Sequence, residues 1–180
     1  MKENRECYQN RELSWLLFNE RVLNEAANPR VPLMERLQFV SIYQTNLDEF
    51  FMVRVGTLMQ QMENKKTVKD NKTGLSSKEQ IKLILKEVER LEQKRKEIYT
   101  QLMGELEPVG IHIINFQKLS KQEQSQLEAY FDKAIRPYLS PMIVGKQQPF
   151  PFLQNSELYA VARLETKGGK KRMGIVPCWN

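Results

Sequence analysis

The sequence predicts an α+β chain: an N-terminal helical bundle built on a long two-helix hairpin, followed by a partial α/β unit. Three observations predict it. Apolar residues recur at three- and four-residue spacing through the first 106 positions. Serine-led capping boxes stand at the starts of two helical runs, at Ser76 and at Ser120. Beyond residue 107 the pattern changes to short β-branched runs punctuated by glycine and proline. The boundary is therefore expected there, with 1–107 as the helical domain and 108–180 as the start of an α+β domain that is expected to be incomplete.

The first helix spans 11–27. Leu13, Leu16, Leu17, Leu23 and Ala27 form one stripe, and Trp15, Phe18, Val22 and Ala26 form a second, so most of this helix should be buried. Asn28-Pro29 ends it, because the residue before proline disfavours the helical region. Pro32 suits the first turn of the next helix, 32–63, whose stripe is Leu33, Leu37, Val40, Leu47, Phe51, Leu58 and Met62. A polar loop, "KKTVKDNKTG", follows. "SSKEQ" offers two overlapping capping boxes, Ser76 with Glu79 and Ser77 with Gln80. They open a helix over 77–106 with Ile81, Ile84, Leu85, Val88, Leu91, Ile98, Leu102 and Leu106 on its apolar face. The two long helices are expected to pair antiparallel. "PVGIHIINF", 108–116, reads as a strand. Ser120 with Glu123 caps a helix to Tyr138, and "SELYAVARLE" and "KRMGIVPC" flank "TKGGK" as a hairpin with a glycine turn.

The bulk numbers bound the function. The chain has 180 residues, 41% hydrophobic and 28% charged, which suits a packed fold rather than disorder. A net charge of +6 is compatible with an anionic partner: nucleic acid, nucleotide or another polyphosphate. Much of that excess lies in "NKKTVKDNK" and "KGGKKR", which read as solvated loops. Cys7 and Cys178 are far apart, so a disulfide framework is not expected and a reducing compartment fits. No signal peptide and no run long enough to span a bilayer is apparent, so a soluble intracellular protein is expected.

The chemistry concentrates in "NLDEFF", 46–51. Adjacent helical residues point about 100° apart, so Asp48 and Glu49 cannot easily converge on one proton or one metal. Asp48 continues the wet face of Ser41, Gln44 and Thr45. Asn46 is different. Its helical neighbours are Phe39, Ile42, Tyr43, Phe50 and Val53, so an amide sits within an apolar stripe. Left buried and unpaired it would cost roughly 1–3 kcal/mol, and so it needs a partner. An amide both donates and accepts, as pairing with an adenine edge requires, and apolar neighbours suit the faces of the ring. A bond to a backbone end inside the bundle is the plainer alternative, and spacing alone favours it. His112, the one histidine, lies in "GIHII" and reads as a packed strand residue rather than a nucleophile. There is no glycine-rich phosphate loop, metal-ligand cluster or serine–histidine pairing.

The segments "NRELSWLLFNERVLNEA" and "PLMERLQFVSIYQTNLDEFFMVRVGTL" resemble the N-terminal domain of polyphosphate kinases, ATP–polyphosphate phosphotransferases of bacteria. "GIHIINFQKLSKQEQSQLEAYFDKAIRPYLSPMIV" and "QPFPFLQNSELYAVARL" are similar, more weakly, to that family's head domain. Where many members carry a histidine before "PFPFL", this chain has Gln148. The resemblance implies a longer chain with two C-terminal domains related to phospholipase D. Those domains would carry a phosphorylated histidine and the arginines that hold Mg2+. It implies reversible transfer of the terminal phosphate of ATP to that histidine and then to polyphosphate. It makes ATP/ADP and inorganic polyphosphate the partners, with a homo-oligomer joined through the head and no nucleic acid. The cytoplasm is the implied location, either free or peripheral at the inner membrane. The nucleotide-contacting asparagine of the family's "NLDEF" motif matches Asn46, which turns the reading of that residue toward nucleotide contact. Glu49 and Arg54 are read as supporting the helix or an interdomain contact, with no catalytic or metal-binding residue expected in these 180 positions. Two rivals stand beside this reading: a non-enzymatic helical scaffold that binds protein through its hairpin, and a nucleic-acid module using the basic loops, although no aromatics interleave those loops.

Overall fold

A computed structural model describes residues 7–63, 69–145, 150–155 and 157–178. The chain is α+β and divides into two units, Met1–Ile113 and Ile114–Asn180. The first is helical: α1 (Arg11–Ala27), α2 (Leu33–Phe50), a π turn (Phe51–Val55), α3 (Gly56–Glu63) and α4 (Ser77–Leu106).

Each start has a local cause. The Asn10 side chain accepts from the backbone N–H groups of Glu12 and Leu13 and so caps α1. Ser76 and Glu79 form the reciprocal capping box that opens α4. The overlapping box at Ser77 and Gln80 does not form. Ser77 is already helical and donates to Gln61 Oε1 at 2.8 Å. Pro32 caps α2 from outside instead of entering its first turn. Extended backbone at Asn28 ends α1, as the proline after it demands.

Three cross-links give the register of the hairpin. Ser77 meets Gln61, the Tyr43 hydroxyl lies 3.5 Å from Glu92 Oε1, and Arg36 donates to Glu105 at 2.6 Å. Rising numbers on one rod match falling numbers on the other, so the two run antiparallel. α1 lies along both. It runs antiparallel to α2, with Asn19 against Tyr43 and Ala26 against Arg36. It runs parallel to α4, with Asn10 against Gln80 and Glu20 against Arg90 and Lys94. Leu16, Leu23, Val40, Tyr43, Leu47, Phe50, Ile84, Leu91, Ile98 and Leu102 pack the core between them.

The predicted helix 32–63 is one rod with a fault in it. Its buried positions are Arg36, Val40, Tyr43, Leu47 and Phe50, spaced by three and four, and then Val55 and Leu58. The five-residue step from 50 to 55 is the extra residue of the π turn. An unbroken α-helix would have brought Arg54 inward. Five members of the predicted stripes are corrected: Leu17, Phe18, Met62 and Leu85 are 40%, 46%, 42% and 51% exposed, and Ala27 is exposed as well, so α1 is buried along one face rather than over most of its surface. Arg36 takes the inward place beside Leu37, because its guanidinium is satisfied there by the Ala26 carbonyl and Glu105.

The predicted strand 108–116 is absent. Glu107–Val109 continues α4 as a 3-10 turn, and Gly110 adopts φ 84°. The Ile111 N–H then closes on the Leu106 carbonyl, a left-handed helix stop that glycine adopts without strain. Residues 111–115 pair with no strand among the described residues, and Asn115 caps a short 3-10 turn, Phe116–Lys118. β-branched residues make a strand only where a ladder partner lies beside them.

In the second unit α5 (Lys121–Tyr130) starts at the expected Ser120–Glu123 box. The helix continues to Tyr138, but as a π turn and a 3-10 turn. β1 (Met142–Val144), β2 (Tyr159–Glu165) and β3 (Lys171–Pro177) form an antiparallel sheet ordered β1-β3-β2. The expected hairpin is β2–β3, turned at Gly169 with φ 72°. β1 was not foreseen. It pairs Met142 with Ile175, and Ile175 is fully buried.

Candidate functional site

Asn46 lies on α2, one turn before the π fault, on the seam with α1. It is partly buried. Its Nδ2 donates to Asn19 Oδ1 at 3.1 Å, and Asn19 Nδ2 donates to the Tyr43 carbonyl at 3.1 Å. Asn19 is wholly buried. The partner of Asn46 is thus a side chain on another helix, not the backbone end expected as the plainer alternative. The second Asn46 N–H and its carbonyl oxygen have no hydrogen-bond partner among the described residues.

The apolar stripe around Asn46 divides in two. Tyr43 and Phe50 face the core, with Phe50 stacked on Trp15 at 4.5 Å. Ile42 and Val53, on the outer side, stay 39% and 60% exposed. The amide therefore stands at an edge, with packed aromatics beneath it and uncovered aliphatic groups beside it. Burial pushes the Tyr43 phenol well above its usual range, helped by the neighbouring Glu92 carboxylate, so it stays protonated and can donate to Glu92.

Arg54 reaches back to α1 and donates to Glu12 Oε2 at 3.1 Å. Glu12 is 5% exposed and also meets Arg11. The π turn aims Arg54 at this seam, so Arg54 supports the packing of α1 on the rod. Glu49 is exposed, with no hydrogen bond or ion pair among the described residues. Asp48 is exposed and accepts from Gln44 at 3.0 Å. The structure does not bring the two carboxylates together.

His112 is exposed in the irregular segment 111–115, which corrects its expected place in a packed strand. Gln148 and residues 64–68 of the basic loop lie outside the described residues. Among the described residues no three His, Cys, Asp or Glu side chains converge where they could hold a metal ion. The donor set for the Mg2+ that the resemblance implies is therefore not found in them. A depression of about 700 Å3 runs along α4 beside Lys86, Arg90, Arg95 and Tyr99. All its lining comes from that one helix, so it is space between solvated side chains rather than a cleft between elements. No described helix is long and apolar enough to cross a membrane.

Sequence reasoning missed Asn19. The signal was there: an amide three residues after Leu16 and four before Leu23, inside the buried stripe of α1. A buried amide in a helix asks for a cross-helix partner, just as Asn46 does.

Together these features define a helical bundle followed by a small antiparallel sheet. Comparison with known proteins makes that class specific. Residues 8–114 match the family described as polyphosphate kinase N-terminal domain, and residues 122–178 match the polyphosphate kinase middle domain. A polyphosphate kinase from Halalkalibacterium halodurans is 43% identical over 166 residues, which are 92% of this chain and 24% of that protein. One from Bacillus anthracis is 43% identical over 152 residues, 84% of this chain and 22% of that protein. The crystal structure of polyphosphate kinase from Porphyromonas gingivalis superposes with a TM-score of 0.75 at 27% identity, covering 95% of this chain and 25% of that one. The chain belongs to the polyphosphate kinase family. It spans about a quarter of the length of the curated relatives it matches.

Proposed function

We propose that this chain provides the adenine-contacting and assembly portion of an ATP–polyphosphate phosphotransferase. The observation that carries the proposal is the Asn46 amide: one N–H is held by Asn19, while an oxygen and a second N–H stay open beside exposed Ile42 and Val53. An amide in that state can accept from the exocyclic amine of adenine and donate to the neighbouring ring nitrogen. The aliphatic groups can cover a ring face. Such pairing positions the nucleotide and leaves phosphoryl transfer to groups elsewhere. In this reading the reaction moves the terminal phosphate of ATP to a histidine and on to polyphosphate, reversibly, in a cytoplasmic homo-oligomer. In the same reading the phosphoacceptor and the Mg2+ ligands are supplied by residues other than these 180. An isolated His112, exposed and without a bonded partner among the described residues, is not set up to act as the nucleophile.

The test has two arms. In the full-length polypeptide, Asn46→Ala raises the KM for ATP several-fold, as loss of roughly 0.5–1.5 kcal/mol of hydrogen bonding requires. Unchanged ATP kinetics would remove Asn46 from the nucleotide site. In the second arm the 180-residue chain is incubated with γ-labelled ATP, Mg2+ and polyphosphate. No label is expected on the protein or in the polymer. Acid-labile label on the protein would place a phosphoacceptor within these residues.

A further inference from the structure

We infer that Asn19 is a positioning residue that makes the Asn46 site selective for a 6-amino purine over a 6-oxo purine; the inference rests on the nucleotide reading of Asn46. The argument is one of forced directions. A backbone carbonyl can only accept, so the side of the Asn19 amide that meets the Tyr43 carbonyl at 3.1 Å must be its NH2 group. The Asn19 oxygen then necessarily faces Asn46. There it accepts from Asn46 Nδ2, also at 3.1 Å. The reverse setting of Asn46 would press two carbonyl oxygens together at that distance. The backbone of α2 therefore fixes Asn19, and Asn19 fixes Asn46.

The consequence is read at the open edge. With its nitrogen held inward, Asn46 offers its carbonyl oxygen and one N–H to a ligand. That pair matches an amine donor beside a ring-nitrogen acceptor, as at position 6 of adenine. A 6-oxo purine sets an oxygen against the Asn46 oxygen. Asn46 cannot flip to relieve the clash without breaking its bond to a wholly buried Asn19. Selectivity thus arises from repulsion that the protein is not free to escape.

Kinetics of the full-length polypeptide test this with three nucleotides: ATP, inosine triphosphate and purine riboside triphosphate, which lacks any group at position 6. For the native protein kcat/KM for inosine triphosphate falls about tenfold or more below ATP, the size of one lost and one opposed hydrogen bond, and the riboside analogue lies between. Asn19→Ala frees the Asn46 amide to turn, and the ATP-to-inosine ratio shrinks to about threefold or less. A merely structural Asn19 would lower both nucleotides alike and leave the ratio where it was, which overturns the inference. Asn46→Ala separates the two levels. If it changes neither the ATP KM nor the ratio, the nucleotide reading itself fails. If it changes them while Asn19→Ala leaves the ratio intact, only the positioning role fails. Should Asn19→Ala not fold, the native comparison decides: inosine triphosphate within about threefold of ATP overturns the inference, and the graded order of the three supports it.

Discussion

Asn46 has an internal bond besides the nucleotide contact proposed for it, and the two act in different experiments. Its bond to Asn19 is internal, so Asn46→Ala leaves a buried acceptor without its donor. We expect a stability loss of about 1 kcal/mol in urea unfolding, in addition to the change in KM. Asn46→Leu restores volume but not the donor, and should match the alanine variant in ATP kinetics. A second residue-scale prediction concerns Glu20. Hydrogen bonds from Arg90, with help from Lys94, hold its carboxyl at about 2, well below the ordinary 4.5. A depressed carboxylate pKa adds stability that is fully present above pH 4.5 and is lost as pH falls toward 2. Arg90 is half exposed, so solvent screens the pair and its contribution is about 1 kcal/mol. Glu20→Gln should lower the melting temperature at pH 7 by roughly 4 °C. The gap should close as the pH is brought down to 2.5. A gap that stays constant across that range would mean the ion pair adds nothing.

The two long elements of the hairpin are held by different devices. α4 depends on its cap: Ser76→Ala should cost about 1 kcal/mol, because the serine oxygen and Glu79 satisfy each other's backbone N–H groups. The rod of α2 and α3 is kept in phase by its π turn. The π turn absorbs one extra residue, so Val55 and Leu58 stay on the buried face that Phe50 belongs to. Deleting the half-exposed Met52 would make the step from Phe50 to Val55 four residues and keep that face in place. Denaturant unfolding should therefore stay within about 1 kcal/mol of the native chain. A loss of more than about 3 kcal/mol, the scale of a buried leucine leaving the core, would show that the downstream face had turned.

Across the whole molecule, burial is uneven. The helical unit holds a continuous core, while in the other unit Val161, Leu158 and Phe152 are 62%, 77% and 92% exposed. A small sheet with so little covered surface is marginal by itself. Hydrogen exchange of this chain should therefore show slow amides in α1, α2 and α4 and much faster ones in β2 and β3. Equal protection in both units would contradict the uneven burial.

The sequence by itself determined what depends on near neighbours along the chain. Helix starts at Ser76 and Ser120, the stop at Asn28-Pro29 and the β2–β3 hairpin are set by contacts within four or five residues, and so they were legible. The helical neighbours of Asn46 were legible for the same reason, as was the resemblance carried by long contiguous runs. Only the tertiary structure decided the rest. "PVGIHIINF" has strand-like residues but no ladder partner, while "MIV" becomes β1 because β3 lies beside it. The π turn exists because α1 and α4 together demand a five-residue step between Phe50 and Val55. The Asn19–Asn46 pair joins positions 27 residues apart. No pattern within α1 or α2 alone names that partner, since a buried amide requires a hydrogen bond but does not say with whom.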